Sequence, residues 1–264
     1  MSVSNQETVR LEIKGHLGII TLARPDELNA LNYETLERLG AIVEELRLSS
    51  REVRVVLLQA EGRAFCAGAD LKERRTLTEQ QVRRNVRKIR DVFSDLERLP
   101  QPTIALINGF AFGGGFELAL ACDFRFALRE AKMGLTEVSL GIIPGAGGTQ
   151  RLTRLIGPSK AKELILTARR ITADEALAIG FVNGVADSTE QLVQMASSLA
   201  DEILANAPLA VYQAKAAIDR GASVDLQTGL DIETMCYEVI IPTKDRLEAL
   251  EAFREKRKPV YRGE

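Results

Sequence analysis

Histidine, cysteine and tryptophan are scarce in this chain of 264 residues, which has one histidine, three cysteines and no tryptophan. A single histidine excludes a metal site built from several imidazoles, and any histidine-dependent catalytic triad would have to use His16. This residue stands in the stretch from Lys14 to Gly18, which is typical of a hairpin turn. We therefore expect His16 to be a turn residue rather than a catalytic one.

The three cysteines, Cys66, Cys122 and Cys236, are too far apart in the sequence to form a CxxC ligand pair. An odd number without the spacing of a disulfide framework indicates reduced thiols in a cytosol-like compartment, and so predicts a cytoplasmic protein. Cys66 and Cys122 lie among small apolar residues, which favours buried packing over nucleophilic chemistry. The sequence offers no pattern of metal ligands.

Long apolar runs are also missing, and the net charge is only −2. No run approaches the ~20 residues that a membrane helix requires. The first seven residues lack the basic and apolar stretches of a signal peptide, so we expect an unsecreted chain with no membrane partner. The small net charge argues against a generic binder of nucleic acids or membrane surfaces.

The glycine-rich signatures of three common enzyme classes are absent. The sequence has no GxxxxGK[ST] loop, no GxGxxG after a first strand and no GxSxG elbow. These absences disfavour a P-loop nucleotide hydrolase, a Rossmann dehydrogenase and an α/β-hydrolase.

Hydrophobic periodicity predicts several strands. Alternating apolar residues on either side of a turn at Gly15 predict a β-hairpin. Nearly continuous apolar runs at 53–58 and 102–107 are typical of strands buried on both faces, and shorter strands are predicted near 124–127 and 182–185.

Helices are predicted between these strands. One begins at Thr78, with Gln81 completing the cap, and its predicted core stripe consists of Val82, Val86, Ile89, Phe93 and Leu96. The repeated order of strand and helix predicts an α/β fold with parallel strands. Beyond Asn206 only helical patterns remain, so we expect an all-helical region at the end of the chain.

A glycine-rich stretch opens one of the predicted helices. Gly113, Gly114 and Gly115 precede a short, mostly apolar helix that carries Glu117. Successive glycines let another group approach the main chain closely, and the free N–H groups at a helix start attract negative charge. A thioester or enolate oxygen could be held there, whereas the simpler interpretation is a tight turn with Glu117 near its own helix N-terminus.

Two further segments combine small residues with an acid. Glu137 precedes the glycine-rich turn at residues 141–148, where a solvated loop glutamate is the alternative interpretation. Residues 63–72 follow a buried strand, and loops at strand ends commonly bind ligands in α/β proteins. Within that segment, Asp70 could instead act as a helix cap.

Taken together, these segments resemble the crotonase, or enoyl-CoA hydratase, superfamily over essentially the whole chain. Three motifs carry the likeness: Ala67-Gly68-Ala69-Asp70-Leu71-Lys72, Asn108-Gly109 with Gly113-Gly114-Gly115-Phe116-Glu117, and Ile143-Pro144-Gly145 with Gly147-Gly148-Thr149-Gln150-Arg151-Leu152. Within that family the chain is most similar to the methylglutaconyl-CoA hydratases, whose human member also binds AU-rich RNA. Three stretches carry this closer likeness: Asp70-Leu71-Lys72-Glu73-Arg74, Ala131-Lys132-Met133-Gly134-Leu135 and residues 241–248.

The resemblance implies a fold and an assembly. The fold would be an α/β spiral of ββα units over residues 1–199. A C-terminal helical region over residues 200–264 would build a homotrimer, or a homohexamer made of two trimers.

The resemblance also assigns roles to residues. Ala69 and Gly114 match the positions whose N–H groups form an oxyanion hole, and Glu117 and Glu137 match the two catalytic glutamates. Gly145 matches the glycine whose N–H helps to place a water molecule. The residues that match the substrate and CoA site are Ala67, Ala69, Asp70, Leu71, Lys72 and Gly114.

The implied activity is the addition of water across the 2,3 double bond of a short-chain 2-enoyl-CoA, with 3-methylglutaconyl-CoA as a candidate substrate. Two N–H donors would stabilise the thioester oxygen, and two carboxyl groups would handle the protons. No cofactor is implied, because coenzyme A is part of the substrate. Family members that only isomerise a double bond generally lack one of the glutamates, so the pair favours a hydratase over an isomerase or another crotonase-family lyase. The sequence does not decide which glutamate is the base.

A basic segment between Lys72 and Arg90 supports a rival interpretation. It contains eight cations against two acids, Glu73 and Glu79, and Arg83, Arg87 and Arg90 share one helix face. This segment could be a solvated face, attract the anionic CoA substrate or bind RNA, although no aromatic residues alternate with the cations to stack on bases. The basic run from Lys256 to Lys258 could likewise reach CoA phosphates or be a solvated tail. Pocket-lining residues are expected from residues 76–92 and 235–241.

Overall fold

The computed structural model describes residues 7–264 of the chain. This part of the chain contains ten strands: β1 (Val9–Lys14), β2 (Leu17–Leu22), β3 (Val55–Ala60), β4 (Ala64–Cys66), β5 (Thr103–Ile107), β6 (Phe110–Phe112), β7 (Phe124–Leu128), β8 (Lys132–Gly134), β9 (Ile171–Thr172) and β10 (Gly184–Ala186). It also contains eleven α-helices: α1 (Tyr33–Leu48), α2 (Leu71–Arg74), α3 (Glu79–Glu97), α4 (Gly114–Leu120), α5 (Gly148–Ile156), α6 (Pro158–Thr167), α7 (Ala173–Ala178), α8 (Thr189–Leu204), α9 (Pro208–Gly221), α10 (Leu226–Ile240) and α11 (Lys244–Glu255). Two short 3₁₀ helices cover Pro25–Glu27 and Glu137–Leu140.

The strands form two sheets. Six strands pair in the order β1-β2-β3-β5-β7-β10, and four short ones pair in the order β4-β6-β8-β9. In the large sheet the β1–β2 hairpin is antiparallel and the remaining pairs are parallel. The predicted α/β class is therefore confirmed, as is the hairpin, and His16 lies in its turn with Nδ1 2.7 Å from the Glu52 carbonyl oxygen.

The small sheet was not predicted from the sequence. Its strands are only two or three residues long, too short for a periodicity to appear. They form because the chain returns repeatedly to the same edge, with β4, β6 and β8 in parallel register. This sheet brings the end of β4 and the end of β6 together, and the site lies at those two ends.

Helix α3 agrees with the prediction at its start and departs from it at Val86. The Thr78 hydroxyl and the Gln81 side chain form the predicted capping box. Phe93 and Leu96 are buried as predicted, but Val86 is 37% exposed, so its assignment to the core was wrong. The first half of α3 lines an open pocket rather than the core, and the buried residue of that half is Asn85.

The C-terminal helices begin where the strands end. The predicted boundary at residues 199/200 falls inside α8, because Leu192, Ala196 and Ala200 of that helix pack on the large sheet. Helix α8 ends at Leu204. The assignment of the following helices to oligomerisation stays a prediction.

Two polar contacts connect helix α9 to residues of the N-terminal part of the chain. The Tyr212 hydroxyl donates to the Ser50 carbonyl oxygen at 2.7 Å, and Lys215 forms an ion pair with Asp123. In contrast, α10 packs on α9 and buries only Cys236 among its own residues. Within residues 7–264, none of the helices combines the length and the apolar character that crossing a bilayer demands.

Candidate active site

Two main-chain N–H groups, those of Ala69 and Gly114, meet where the β4 loop passes the start of α4. A Cβ atom placed on Gly114 would lie 3.7 Å from the Ala69 nitrogen. The residues on either side of Ala69 are fixed on Leu31, whose N–H donates to the Gly68 oxygen at 2.8 Å and whose oxygen accepts from the Asp70 N–H at 3.0 Å. Neither Ala69 N–H nor Gly114 N–H has a hydrogen-bond acceptor within residues 7–264. The pair can therefore receive an oxygen atom from a ligand.

Glycine is required where α4 joins the small sheet. Gly113 precedes the helix with φ at +53°, and its N–H donates to the Gly134 oxygen at 3.0 Å. A Cβ on Gly115 would lie 2.1 Å from the Cys66 oxygen, a distance that no real side chain tolerates. The glycine-rich stretch thus lets α4 start directly against the end of β4, as its sequence suggested.

Glu117 is buried on the first turn of α4, with only 3% of its surface exposed. Its Oε1 atom accepts the N–H groups of Ala146 and Gly148, both at 2.8 Å. Burial raises the pKa of Glu117, and the N–H groups of Gly148 and Ala146, together with the charge of Arg151, oppose that rise. These donors favour the ionised form of this carboxyl group.

Glu137 is buried at the start of the second 3₁₀ helix and has a different environment. Neither of its carboxyl oxygens has a hydrogen-bond partner within residues 7–264. Burial and the nearby charge of Glu117 raise its pKa from 4.5 to about 7. A Cβ on Gly113 would be 3.4 Å from Glu137 Oε1, so this carboxyl group lies beside the start of α4. Its burial corrects the alternative interpretation of a solvated loop glutamate.

The structure therefore places both glutamates and both N–H groups around the N-terminal half of α4. One carboxyl group is surrounded by donors, and the other has none and keeps a proton near neutral pH. Two carboxyl groups in such different surroundings can act as an acid and a base in one reaction.

The loop after Pro144 contributes residues that sequence reasoning missed. From the residues alone, the glycines of this loop were interpreted as turn residues, and no role was predicted for Ala146. In the structure, the Ala146 and Gly148 N–H groups donate to Glu117. Gly145 itself is exposed, and a Cβ there would lie 3.2 Å from Val86 Cγ1. Its predicted role in placing water stays a prediction.

The residues predicted for CoA binding lie in the loop that leads from Ala69 into α2. Asp70 is the N-cap of α2, where its carboxylate accepts the Lys72 and Glu73 N–H groups at 3.0 and 3.2 Å and pairs with Arg24 at 3.2 Å. The capping role weighed for Asp70 is thus present. Ala67 is half-buried and its N–H donates to the Leu28 oxygen, whereas the side chains of Leu71 and Lys72 are exposed.

A narrow, mainly apolar pocket adjoins Ala69. Its apolar walls are formed by Leu31, Leu36, Leu77, Val82, Val86 and Ile89. Four polar residues, Asp70, Glu73, Arg74 and Asn85, also line it. Residues 76–92 thus contribute to the pocket as predicted, whereas residues 235–241 do not line it in this chain.

The basic segment lies on α2 and along the exposed face of α3. Several of its cations are already engaged: Arg83 pairs with Glu79, Arg90 pairs with Asp91, and Arg84 stacks on the Tyr33 ring at 4.1 Å. In the basic run near the C-terminus, Arg257 pairs with Glu248 and Glu255. These pairings reduce the charge that either segment offers to a polyanion.

Comparison with known proteins agrees with this geometry. The family described as Enoyl-CoA hydratase/isomerase matches residues 12–264. Two similar relatives are YngF of Bacillus subtilis, which carries the name of an enoyl-CoA hydratase/isomerase, and the human mitochondrial methylglutaconyl-CoA hydratase. The first is 55% identical over 94% of this chain and 95% of its own length, and the second is 47% identical over 100% of this chain and 79% of its own.

Solved structures show the same fold. The 1.8 Å crystal structure of an enoyl-CoA hydratase from Bacillus anthracis superposes with a TM-score of 0.94, at 50% identity, covering 97% of this chain and all of the other. DspI from Pseudomonas aeruginosa superposes with a TM-score of 0.92, at 33% identity, over 98% of this chain and 100% of its own.

The α/β fold, with its two sheets of mainly parallel strands, matches that of crotonase-type enzymes. The chain belongs to the enoyl-CoA hydratase/isomerase family.

Proposed function

We propose that this protein is an enoyl-CoA hydratase that adds water reversibly across the 2,3 double bond of a short-chain 2-enoyl-CoA. The observation that carries the proposal is the contrast between Glu117 and Glu137 beside the Ala69 and Gly114 N–H groups. An isomerase needs only one group to move a proton between two carbons. Hydration needs one group to take a proton from water and another to deliver a proton to carbon.

The thioester oxygen would be bound by the N–H groups of Ala69 and Gly114. Negative charge develops on this oxygen as water attacks the β-carbon, and fixed donors stabilise it without reorganising. Losing one such donor typically raises a barrier by ~3 kcal/mol. In the described residues 7–264, no acceptor pairs with these N–H groups, which supports this role.

The surroundings of the two acids support a division of labour that the sequence left open. Glu117, held by the Ala146 and Gly148 N–H groups, would be the base that accepts a proton from the attacking water. Glu137, with its pKa raised to about 7, would be the acid that delivers a proton to the α-carbon. The Gly145 N–H would help to place the water.

For the acyl group we propose a short chain in the pocket beside Ala69, whose walls are mostly apolar. Arg74 lines this pocket. It would suit an acyl group that ends in a carboxylate, and the relatives named methylglutaconyl-CoA hydratase support the same choice. Glu73, on the same pocket wall, argues for a neutral acyl group, so crotonyl-CoA is the alternative.

Several expectations about assembly and setting belong to the proposal. CoA would lie along the exposed loop formed by Ala67, Leu71 and Lys72, and no separate cofactor would be needed. The apolar residues exposed on α10, among them Leu226, Met235 and Tyr237, support a homotrimer or a homohexamer. Three free, buried cysteines support a reducing, cytosol-like compartment.

The test is steady-state hydration of crotonyl-CoA beside 3-methylglutaconyl-CoA, followed by loss of the enoyl absorbance. We expect turnover of at least one substrate, and a large preference in kcat/KM for the second would assign the carboxylated acyl group. Turnover of a 3-enoyl-CoA to its 2-enoyl isomer, without net hydration, would replace the proposal by an isomerase. The RNA-binding alternative would be favoured if none of these substrates is turned over and the protein binds RNA tightly. That binding should depend on salt and be lost on charge reversal at Arg83, Arg84 and Arg87.

A further inference from the structure

Arg151 contacts the loop that holds Glu117, and it is not among the residues that line the pocket beside Ala69. Its side chain is 14% exposed, and its Nη1 atom donates to the Ala146 oxygen at 2.7 Å. The N–H of the same Ala146 donates to Glu117 Oε1 at 2.8 Å. One residue, Ala146, thus links the guanidinium to the carboxylate.

The guanidinium is itself fixed from the other side by α3. Its Nε and Nη2 atoms donate to the two carboxylate oxygens of Glu97 at 2.8 and 2.7 Å, and Nη2 also lies 3.3 Å from the Ser94 hydroxyl. Such a two-pronged pair sets the orientation of a guanidinium as well as its position. Through Arg151, the position of Ala146 is therefore fixed relative to α3, a long helix that packs against the core.

The loop follows the shape of the guanidinium closely. Gly147 has φ at +104°, and a Cβ on it would lie 2.1 Å from Arg151 Nη1. The main chain therefore passes directly against the side chain, and the next residue, Gly148, gives the second N–H to Glu117. A change in the guanidinium would shift both donors of Glu117 together.

Charge acts in the same direction as geometry. The charged groups near the Glu117 carboxylate are Arg151 and Glu137: the arginine favours the ionised form and the second glutamate opposes it. Glu97 neutralises part of the charge on Arg151, but from the side away from Glu117.

We propose that Arg151 is a positioning residue that holds residues 144–148 in the shape that clasps Glu117 and stabilises the ionised form of this base. The proposal rests on the proposed role of Glu117 in hydration. It assigns to Arg151 no contact with substrate.

The test compares two variants. R151M removes both the charge and the two-pronged pair with Glu97, whereas R151K keeps the charge and loses the two-pronged pair. The matched control is R154M, since Arg154 is an exposed cation on the same helix, α5. For R151M we expect kcat for crotonyl-CoA to fall by about 10- to 100-fold, the usual effect of a small misplacement of a reacting group. KM should stay within about threefold, because no substrate contact is lost.

A purely structural role would not move the pH profile. In R151M, the rise of kcat/KM on the acidic side should shift to higher pH, because ionised Glu117 loses a favourable charge. In R151K, kcat should fall while this rise keeps its position, and R154M should match the wild type. Two results together would overturn the inference: folded R151M loses activity only in proportion to its fraction of inactive enzyme, and the acidic side of its kcat/KM profile does not move.

Two further measurements keep the inference testable if R151M does not fold or if the wild type does not hydrate crotonyl-CoA. E97Q removes the outer anchor and should lower kcat with little change in KM; an unchanged kcat would contradict the positioning role. Infrared difference spectra can follow the titration of the Glu117 carboxyl, identified by the band that E117Q lacks. This band should titrate at higher pH in R151M than in the wild type. A wild type without hydratase activity would refute the proposed function alone, whereas an unmoved Glu117 titration would refute the inference alone.

Discussion

At the scale of single residues, Glu117 and Glu137 differ in what surrounds each carboxyl group. Glu117 is buried with two N–H donors, whereas Glu137 is buried and has no donor in the part of the chain that the structure describes. An ionised carboxylate without donors is costly in a dry site, so Glu137 keeps its proton until about pH 7. This burial should reduce the stability of the fold above the pH at which Glu137 ionises in the unfolded chain.

This reduction predicts a pH-dependent gain in stability for E137Q. The folded chain binds the Glu137 proton up to about pH 7, whereas the unfolded chain releases it near 4.5, so the wild type loses stability as pH rises through this interval. Glutamine carries no charge at any pH. E137Q should therefore match the wild type near pH 4 and exceed it at pH 8, by on the order of 1–2 kcal/mol.

Urea unfolding at the two pH values measures this difference. E37Q is the matched control, since Glu37 is an exposed glutamate on α1 and should show no comparable gain. A stability of E137Q below that of the wild type at pH 8 would contradict the account of Glu137 as a strained, partnerless acid.

At the scale of elements, α4 depends on direct contact with β4. Gly115 lies against the Cys66 carbonyl, and Gly114 and Glu117 are on the same two turns of helix. A side chain at residue 115 would displace the whole helix, and with it the Gly114 N–H group and the Glu117 carboxylate.

We therefore expect G115A to destabilise the fold by about 1–3 kcal/mol and to lower kcat far more than a remote glycine substitution does. G221A is the control, because a Cβ there meets nothing nearer than 3.7 Å. Thermal unfolding and crotonyl-CoA hydration by the two variants give the comparison. A G115A variant with wild-type stability and kcat would show that the contact between α4 and β4 is not needed.

Sequence patterns predicted the elements whose signals are local. The β1–β2 hairpin, the Thr78 cap and the placing of Glu117 on a short apolar helix each depend on a few neighbouring residues. The small sheet and the outward turn of Val86 were missed because they depend on residues distant in sequence. Residues 144–148 show the same limit: their glycines indicated a turn, but only the folded chain shows that its N–H groups point at Glu117. The likeness in motifs supplied roles for Ala69 and Gly145 that no periodicity could give.

At the scale of the whole molecule, the C-terminal helices expose an apolar surface that a monomer would leave in water. Met235 is 68% exposed on α10 and Phe253 is 86% exposed on α11. Apolar surface gathered in this way is typical of protein–protein contacts.

We expect M235E to shift the particle toward a smaller assembly, because a buried, unpaired charge would oppose association. Q194E on α8 changes the charge equally at an exposed position outside the C-terminal helices and should leave the assembly intact. Sedimentation velocity at several concentrations measures the outcome. A wild-type protein that stays monomeric at high concentration would contradict the proposed trimer or hexamer.

The central claim is that two buried glutamates act together to hydrate an enoyl thioester. Its most direct test is steady-state hydration of crotonyl-CoA, or of 3-methylglutaconyl-CoA if that substrate is preferred, by the wild type, E117Q and E137Q at pH 7. We expect each substitution to lower kcat by about 10²- to 10⁴-fold while the folded fraction stays high, since each removes one proton-transfer group. Full hydratase activity in either variant would contradict the account.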